Sequence, residues 1–329
     1  MNHRCLIIQP IHEDGVAVLR AAGIEPFVAT ASDMESVARE IGACDAVITR
    51  NAGLDARAMD SAPRLRVIGN HGVGLDPVDL MHARRLGIPV VNTPHGNAIA
   101  VAEHAVALVL ALAKQLAEAD RATRVLDFGF KYRAPLVELY GATLGIVGFG
   151  RIGRRTAEVL VRGFGMRLLV HAPRMDEDAI ASMTELGGRR VASLDDLLMA
   201  SDVVSLHVPL RDDTRGLLGA HELDRMRPGA LLVNTARGLL VDEAALVDAI
   251  RSGHLGGVGL DVYASESMAP DHPLLSLEHA VLTPHIGGSA EGALRRTACQ
   301  VAEQVVQVLA GERPPHLVDS DVWDRRRRA

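Results

Sequence analysis

The chain has 329 residues, 48% of them hydrophobic and 23% charged, which fits a folded globular protein of two domains rather than a disordered or fibrous chain. A formal net charge of -6 argues against a nucleic-acid partner, because sequence-independent affinity for polyanions requires clustered Lys and Arg. The three cysteines are odd in number and widely spaced, so they predict neither a disulfide framework nor a metal site.

Short apolar runs alternate with helical patterns along the whole chain. The first half predicts strands at CLIIQP, EPFVAT, DAVITR and RLRVIGN, with helices near residues 14–22 and 33–41. The alternation restarts after residue 140 with the strands TLGIVGFG, RLLVHA, DVVSLHVP, ALLVNTA, GGVGLDV and AVLTPHI. Strands separated by helices predict parallel sheets with right-handed crossovers, and continuously apolar strands indicate helices on both faces. We therefore expect an α/β protein with two doubly wound parallel-sheet domains.

Two long helical segments accompany these strands. An Ala-rich helix is predicted from about Ala98, and the segment SAEGALRRTACQVAEQVVQVLAGE predicts another near the end of the chain. Both are placed to cross between domains, with the last segment returning to the first domain. The apolar run from Ala98 to Ala113 contains Glu103 and His104 and is shorter than a membrane span. Because the first residues also lack a signal-peptide pattern, we expect a cytoplasmic protein with no membrane partner.

The strand TLGIVG leads into the glycine pattern G-x-G-x-x-G and then into a helix. In that context Gly148 should permit a tight turn, Gly150 should let a pyrophosphate approach the backbone, and Gly153 should let helix and strand pack closely. The helix N-terminus at Arg151 and Ile152 would offer its N–H groups to the phosphates. The pattern predicts a dinucleotide site, and a strand-to-helix turn without a ligand is the alternative.

The strand RLLVHA should end in an acid that binds the adenosine ribose, about 20 residues beyond the glycines. Here Ala172 stands at that place, followed by Pro173 and Arg174, and the nearest acid is Asp176. An arginine without a carboxylate suits a ribose 2′-phosphate, so NADP is a candidate beside NAD. Because Arg174 can equally be a solvated loop residue, the sequence leaves the choice between NAD and NADP open.

Four polar residues follow predicted strands of the second half, at the edge where parallel sheets bind ligands: Arg237, Asp261, Glu266 and His285. Each alone is more often structural, but the set suits a 2-keto acid and a nicotinamide. The planar guanidinium of Arg237 matches a substrate carboxylate. His285 can exchange a proton with the carbonyl oxygen, and Glu266 beside it would favour the charged ring and orient it. No metal is predicted.

These segments resemble the signatures of a known family. GFGRIG, NTARG with the following LLVDEAAL, LDVYASE and TPHIGG look like those of the D-isomer-specific 2-hydroxyacid dehydrogenases, and NTPHGNAIAVAEH resembles their 3-phosphoglycerate dehydrogenase branch. The resemblance runs from about residue 45 to 310. It implies that Arg237, Glu266 and His285 are catalytic and that Asp261 meets the nicotinamide carboxamide. Further cofactor contacts are implied at His207, Pro209, Thr235, Ala236, Gly287 and Gly288.

The resemblance also implies an arrangement of domains. Residues 1–97 and 288–329 would form a flavodoxin-like substrate domain, residues 98–287 a Rossmann dinucleotide domain, and the active site would lie in the cleft between them within a homodimer. The loop of Asn70, His71, Gly72, Val73 and Gly74 would bind the substrate carboxylate through backbone N–H groups, a plain turn being the alternative. At 329 residues the chain is expected to lack the C-terminal regulatory domain of some relatives, and hence serine feedback.

The residues at the substrate positions depart in part from those of phosphoglycerate enzymes. Those enzymes often carry a basic residue where Asn70 stands, whereas Arg50 matches a phosphate-contacting position, and Lys131 or Arg133 are candidates for additional positive charge. The leading interpretation is an NAD(P)-dependent dehydrogenase for a small D-2-hydroxy acid or 2-keto acid, such as glycerate, glyoxylate, hydroxypyruvate or phosphoglycerate. A dinucleotide-sensing binding protein of the corepressor type is the alternative, and reduction of an unrelated anion is a third reading. The sequence leaves the substrate and the physiological direction open.

Overall fold

The structure is a computed structural model that describes residues 3–265 and 267–327. Its strands are β1 His3–Ile7, β2 Ile24–Val28, β3 Ala46–Thr49, β4 Val67–Asn70, β5 Val90–Val91, β6 Thr143–Val147, β7 Arg167–His171, β8 Arg189–Arg190, β9 Val203–Leu206, β10 Leu231–Asn234, β11 Gly257–Leu260 and β12 Ala280–Leu282. Its α-helices are α1 Glu13–Ala21, α2 Met34–Glu40, α3 Ala56–Asp60, α4 Leu80–Leu86, α5 Ala98–Ala113, α6 Leu116–Arg124, α7 Arg151–Phe164, α8 Glu177–Glu185, α9 Leu194–Ala200, α10 Ala220–Arg225, α11 Glu243–Arg251 and α12 Glu291–Ala310. Short 3₁₀ helices lie at Ile41–Ala43, Phe128–Tyr132, Gly238–Leu240, Pro273–Ser276 and Ser320–Val322.

The chain divides into two compact units. The first comprises Met1–Ala98 and Gly288–Ala329, and the second comprises Ile99–Gly287. The domain boundaries predicted from the sequence fall between residues 97 and 98 and between residues 287 and 288. Helix α12 belongs to the first unit and packs against α1 and β4 there.

The first unit is built on a parallel sheet with the strand order β2-β1-β3-β4-β5, which is the flavodoxin-like order. Successive residues of its strands point to opposite faces. On β3, Val47 packs into one apolar cluster, while Ala46 and Ile48 pack into the other. Both faces of the sheet are therefore covered, which explains why its strands are continuously apolar.

The second unit has seven parallel strands in the order β12-β11-β10-β9-β6-β7-β8. Read from β8 to β11, this is the order 3-2-1-4-5-6 of dinucleotide-binding folds, with β6 as the first strand. On β10, Leu231 and Val233 enter one core cluster and Leu232 enters the other. The carboxyl ends of β6 and β9, where the strand order reverses, mark the ligand-binding edge of such a sheet.

The predicted fold class, two parallel α/β domains, is confirmed by these two sheets. The sequence analysis missed the two-residue edge strands Val90–Val91 and Arg189–Arg190 and the short helices α3 and α4, because such short elements show no measurable periodicity. No single helix in the described ranges is long and apolar enough to span a membrane, although α5 and α6, bent by 54°, meet the length and composition criteria as a pair.

Candidate active site

The turn between β6 and α7 explains the spacing of its glycines. Gly148 has φ +90°, and a Cβ there would lie 2.7 Å from the carbonyl oxygen of His207. A Cβ on Gly153 would lie 2.3 Å from the carbonyl oxygen of Gly148, so helix and strand pack in direct contact. Gly150 differs, because a Cβ there would meet no atom of the described residues within 4 Å, and no described side chain caps the N-terminus of α7. The first turn of α7, at Arg151 and Ile152, therefore faces open space that a phosphate would fit.

The second and third glycines of this turn allow ligand binding and packing to be tested separately. Gly150→Ala is expected to leave the free energy of unfolding nearly unchanged but to weaken NADH and NADPH binding about tenfold, because the methyl group enters the space facing the helix. Gly153→Ala is expected to cost about 1–3 kcal/mol of stability through the clash with Gly148. Urea denaturation and fluorescence titration measure the two effects. Unaltered dinucleotide binding by Gly150→Ala would contradict the phosphate role of this turn.

The loops after β9 and β10 contribute further polar groups to the same edge. His207 Nε2 lies 2.9 Å from Ser205 Oγ, and burial lowers the pKa of His207 to about 4, so the ring is neutral at pH 7. Pro209 is exposed in the same loop. The hydroxyl oxygen of Thr235 is buried without a hydrogen-bond partner in the described structure, and such orphaned groups are the ones a bound ligand would satisfy.

Arg237 occupies the loop that follows β10. The side-chain amide of Asn234 donates to the carbonyl oxygen of Arg237 at 2.8 Å and accepts from the N–H of Ala236 at 2.9 Å. The guanidinium of Arg237 donates to the carbonyl oxygen of Ala236 at 2.7 Å and remains partly exposed. At the next position, a Cβ on Gly238 would lie 1.9 Å from the carbonyl carbon of Tyr263. Close backbone packing and the Asn234 amide thus hold the loop that carries Arg237.

The carboxylate of Asp261, directly after β11, is the most densely bonded polar group of this edge. It is 1% exposed and accepts from the N–H groups of Ile286 and Gly287, each at 2.8 Å, and from the Thr283 hydroxyl at 2.6 Å. Burial alone would raise the pKa of Asp261, but hydrogen bonds from His104, Thr283, Gly287 and Ile286 outweigh it and hold the pKa below its usual value. The group is therefore a buried carboxylate anion that fixes the segment after β12.

His285 lies within that fixed segment. Its N–H donates to the carbonyl oxygen of Thr283 at 3.0 Å, its φ is +54°, and it is partly exposed. A non-glycine residue in this left-handed region costs about 1–3 kcal/mol and persists only where its surroundings enforce it. Asp261 supplies that constraint through the two N–H groups immediately after the ring. His285 thus follows β12 and is partly exposed, and its catalytic role stays a prediction.

The predicted catalytic Glu266 lies outside the described residues. The segment on either side of it is attached to the first turn of α11 through Glu243. Ala264 donates its N–H to Glu243 Oε1 at 2.7 Å, and His272 Nε2 lies 3.4 Å from Glu243 Oε2. The role of Glu266 beside His285 therefore stays a prediction.

His104 on α5 is a member of this site that the sequence analysis did not assign. Its Nε2 lies 2.9 Å from Thr283 Oγ1 and 3.4 Å from Asp261 Oδ1. Because the Thr283 hydroxyl donates to Asp261, the ring nitrogen of His104 acts as the donor to Thr283. A usable signal existed in the sequence, since His104 is a polar residue within an otherwise mostly apolar and buried helix.

The predicted substrate loop lies in the first unit, after β4. Asn70 is 2% exposed, and its amide donates to the carbonyl oxygens of Gly72 and Gly74 at 3.2 and 2.8 Å, while Val73 is exposed at the tip. His71 Nε2 is buried without a partner in the described structure, and burial followed by the charge of Arg50 lowers the pKa of His71 to about 4. Arg50 donates to the carbonyl oxygen of Pro10 at 3.0 Å.

Other predicted positions are distributed as follows. Gly287 ends the second unit and Gly288 resumes the first. Arg174 is exposed in the loop after β7. Arg133, a candidate for additional positive charge at the substrate, forms an ion pair with Asp127. Its charge is therefore balanced by that carboxylate. Lys131 lies with its Nζ 4.9 Å from the centre of the Tyr132 ring.

The sheet order of the second unit, the open glycine turn and the polar strand ends define a dinucleotide-binding α/β protein. Residues 106–287 match the family model described as the D-isomer specific 2-hydroxyacid dehydrogenase NAD binding domain. The chain belongs to the D-isomer specific 2-hydroxyacid dehydrogenase family, which confirms the resemblance seen in the sequence.

Comparison with known proteins identifies relatives of two kinds. The chain is 37% identical over 309 residues to a D-3-phosphoglycerate dehydrogenase of Archaeoglobus fulgidus, covering 94% of this chain and 58% of that protein. It is 41% identical over 293 residues to a glyoxylate reductase of Aeropyrum pernix, and the match covers 87% of this chain and 85% of that protein. The crystal structure of an NADPH-dependent glyoxylate/hydroxypyruvate reductase of Sinorhizobium meliloti, in complex with NADP and malonate, is similar with a TM-score of 0.86, 28% identity and full coverage of both chains. The chain thus spans little more than half the length of the phosphoglycerate dehydrogenase.

Proposed function

We propose that this protein is an NAD(P)-dependent oxidoreductase that interconverts a small D-2-hydroxy acid and its 2-keto acid. The observation that carries the proposal is the conformation of His285 after the carboxyl end of β12. Its side chain is partly exposed, and its backbone is held in the left-handed region by the hydrogen bonds of Asp261 to the next two residues. Such a constraint is costly, and it suits a residue that must present a titratable ring in one orientation. The family and the enzymes named above support the same reaction class.

The cofactor would be held by the second unit. The N–H groups at the start of α7 suit the pyrophosphate, and the orphaned hydroxyl of Thr235 and the neighbouring Ala236 suit the remainder of the dinucleotide. His207, Pro209, Asp261 and the glycines at 287 and 288 are proposed contacts on the basis of the family. When bound, the nicotinamide supplies or accepts the hydride. The absence of an acid at Ala172 supports use of NADP in addition to NAD.

The protein's own residues then have distinct tasks. The guanidinium of Arg237 binds the substrate carboxylate as a fork. His285 delivers a proton to the keto oxygen during reduction and removes it during oxidation, with Glu266 as its orienting partner. The backbone N–H groups of the loop at residues 70–74, which includes His71, are the proposed second contact to the carboxylate, and the charge of Arg50 acts on His71 in that loop.

The substrate is proposed to be a short unphosphorylated acid of the glyoxylate or hydroxypyruvate type. Asn70 stands where phosphoglycerate enzymes often carry a cation, and its amide already bonds two carbonyl oxygens of its own loop. The nearby His71 is neutral at pH 7, because its pKa is lowered to about 4. Arg50 is thus the main positive charge described at this loop, which is sparse for a phosphate dianion.

A substrate panel with both cofactors tests the proposal. Oxidation of NADH or NADPH is followed at the reduced-nicotinamide absorbance band with glyoxylate, hydroxypyruvate, pyruvate and 3-phosphohydroxypyruvate. Turnover with the first two above the phosphorylated acid is expected. Tight cofactor binding without oxidation by any 2-keto acid would instead indicate a dinucleotide-sensing binding protein, and preference for the phosphorylated acid would refute the substrate proposal alone.

The protein is further proposed to form a homodimer. Seven of the exposed large apolar side chains lie on α6 or in the segment leading to β6, namely Leu116, Val125, Leu126, Phe128, Tyr132, Leu136 and Tyr140. Exposed apolar residues at this density are typical of an interaction surface, and a two-fold contact between copies would bury them in pairs. Sedimentation equilibrium is expected to give twice the chain mass of 35.1 kDa, and a monomer at micromolar concentration would contradict it.

A further inference from the structure

The adenosine end of the nucleotide-binding edge contains an open cleft with a volume of about 390 Å³. It lies at the carboxyl ends of β7 and β8, which are the second and third strands in the order of dinucleotide-binding folds. The residues that line it are His171, Ala172, Pro173, Arg190, Val191 and Ala192. In a sheet of this type, the end of the second strand is where the adenosine ribose binds.

Arg190, which the sequence analysis did not assign to any site, lines this cleft. Arg190 ends β8, and its Nη2 donates to the carbonyl oxygen of Pro173 at 2.9 Å. That bond occupies one of the five N–H donors of a guanidinium, and no ion pair of Arg190 occurs in the described ranges. Arg174, the arginine expected from the sequence, is exposed in the neighbouring loop and is not among the lining residues.

The remaining lining groups favour an anion over a ribose diol. No carboxylate is among the described residues that line the cleft, so the acid that binds the two ribose hydroxyls in NAD-binding folds has no counterpart there. Ala172 is 4% exposed and leaves the space beside it unfilled by any longer side chain. His171 Nδ1 is buried without a hydrogen-bond partner in the described structure. A planar guanidinium pre-positioned by one hydrogen bond, in a cleft that is also lined by a histidine with an orphaned ring nitrogen, matches the oxygen atoms of a phosphate.

We propose that Arg190, assisted by His171, binds the 2′-phosphate of NADP and makes this chain select NADP over NAD. This inference rests on the proposed function, because it concerns the cofactor of that reaction. It assigns the preference to the third strand of the sheet rather than to the loop that carries Arg174. A role limited to joining β8 to the loop after β7 is the competing explanation, since the bond to Pro173 would serve that purpose without a ligand.

Two isomeric ligands of equal charge distinguish these explanations without any turnover. Calorimetric titration with 2′,5′-ADP, 3′,5′-ADP and 5′-AMP is carried out on the wild type and on Arg190→Gln. The wild type is expected to bind 2′,5′-ADP at least tenfold more tightly than 3′,5′-ADP. Arg190→Gln is expected to weaken 2′,5′-ADP binding roughly 10- to 100-fold, the value of one charge-assisted contact, and to change 5′-AMP binding less than about threefold.

Arg189→Gln is the matched control, because it removes the same charge one residue earlier on the same strand, at an exposed position outside the lining of the cleft. It should leave all three ligands unaffected. Arg190→Lys, which keeps the charge but not the fork, should give an intermediate affinity and shows that any loss in the glutamine variant is not due to misfolding. Circular dichroism of each variant accompanies the titrations.

The possible results separate this inference from the proposed function. Equal affinity of the wild type for the two bisphosphates, or equal effects of the substitutions at 189 and 190, would overturn the role of Arg190 even if 2-keto acids are reduced. Selective binding of 2′,5′-ADP without reduction of any 2-keto acid would overturn the proposed reaction and support the phosphate site. Failure of the wild type to bind 2′,5′-ADP would overturn the phosphate site, whatever the result of the substrate panel.

Discussion

Replacing His285 with alanine is expected to lower kcat by about 10²- to 10⁴-fold with the best 2-keto acid, the usual contribution of a positioned general acid. His285 follows β12, and its backbone has a strained left-handed conformation that the Asp261 carboxylate enforces. Removing the imidazole takes away the proposed proton donor but leaves the glycine turn at α7 unchanged. Steady-state kinetics should therefore show the loss in kcat, while fluorescence titration shows NADH or NADPH affinity within about threefold of the wild type.

Two further variants separate proton transfer from backbone effects. Asparagine tolerates the left-handed region better than alanine, so His285→Asn should keep the local backbone and remain as inactive as the alanine variant. His279 is the matched control, because it also has a positive φ, +59°, but precedes β12 at the opposite end of the strand. His279→Ala should retain nearly full turnover. Full activity of His285→Ala on every accepted substrate would rule out the proton-transfer role.

Replacing Asp261 with alanine is expected to cost about 3–5 kcal/mol of unfolding free energy. The change removes the acceptor for the N–H groups of Ile286 and Gly287 and for the Thr283 hydroxyl, and each buried donor left unpaired costs about 1–3 kcal/mol. Urea denaturation with intrinsic fluorescence or circular dichroism measures the loss. Asp248→Ala, at an exposed position of α11, is the control and should change stability by less than about 0.5 kcal/mol.

The same carboxylate predicts the sign of a pH effect. The pKa of Asp261 is lower in the folded chain than in the unfolded one, so the unfolded state binds its proton first as the pH falls. The stabilisation is therefore complete above the unfolded pKa of about 4 and is lost as the pH falls through the folded pKa. The stability difference between the wild type and Asp261→Asn should shrink below about pH 4. A difference that is constant from pH 7 to pH 3 would show that the carboxylate charge contributes nothing.

These expectations connect the structural network to catalysis. Because Asp261 holds the two N–H groups directly after His285, its loss should also displace the ring that we propose as the proton donor. Asp261→Ala is therefore expected to reduce kcat under conditions where the variant remains folded. His104→Ala should reproduce a smaller part of this effect, since its ring reaches Asp261 mainly through the Thr283 hydroxyl.

Much of the fold and part of the site follow from the sequence alone. Strands such as LLVN and TLGIV are recognisable because residues buried on both faces of a parallel sheet form continuous apolar runs. The turn at Gly148 and Gly153 is also local, since positive φ and close helix–strand approach depend on residues a few positions apart. Arg237 and His285 could be placed at the ligand-binding edge for the same reason: they directly follow predicted strands.

Only the tertiary structure decided the remainder. His104 and Thr283 are separated by 179 residues, and no local pattern indicates that a polar residue of a buried helix donates to the segment after β12. Arg190 lies on a two-residue strand, too short for periodicity to reveal, and its position opposite Pro173 depends on the pairing of β7 with β8. Secondary structure and tight turns depend on neighbours along the chain, whereas hydrogen bonds that complete a site depend on which distant strands and helices pack together.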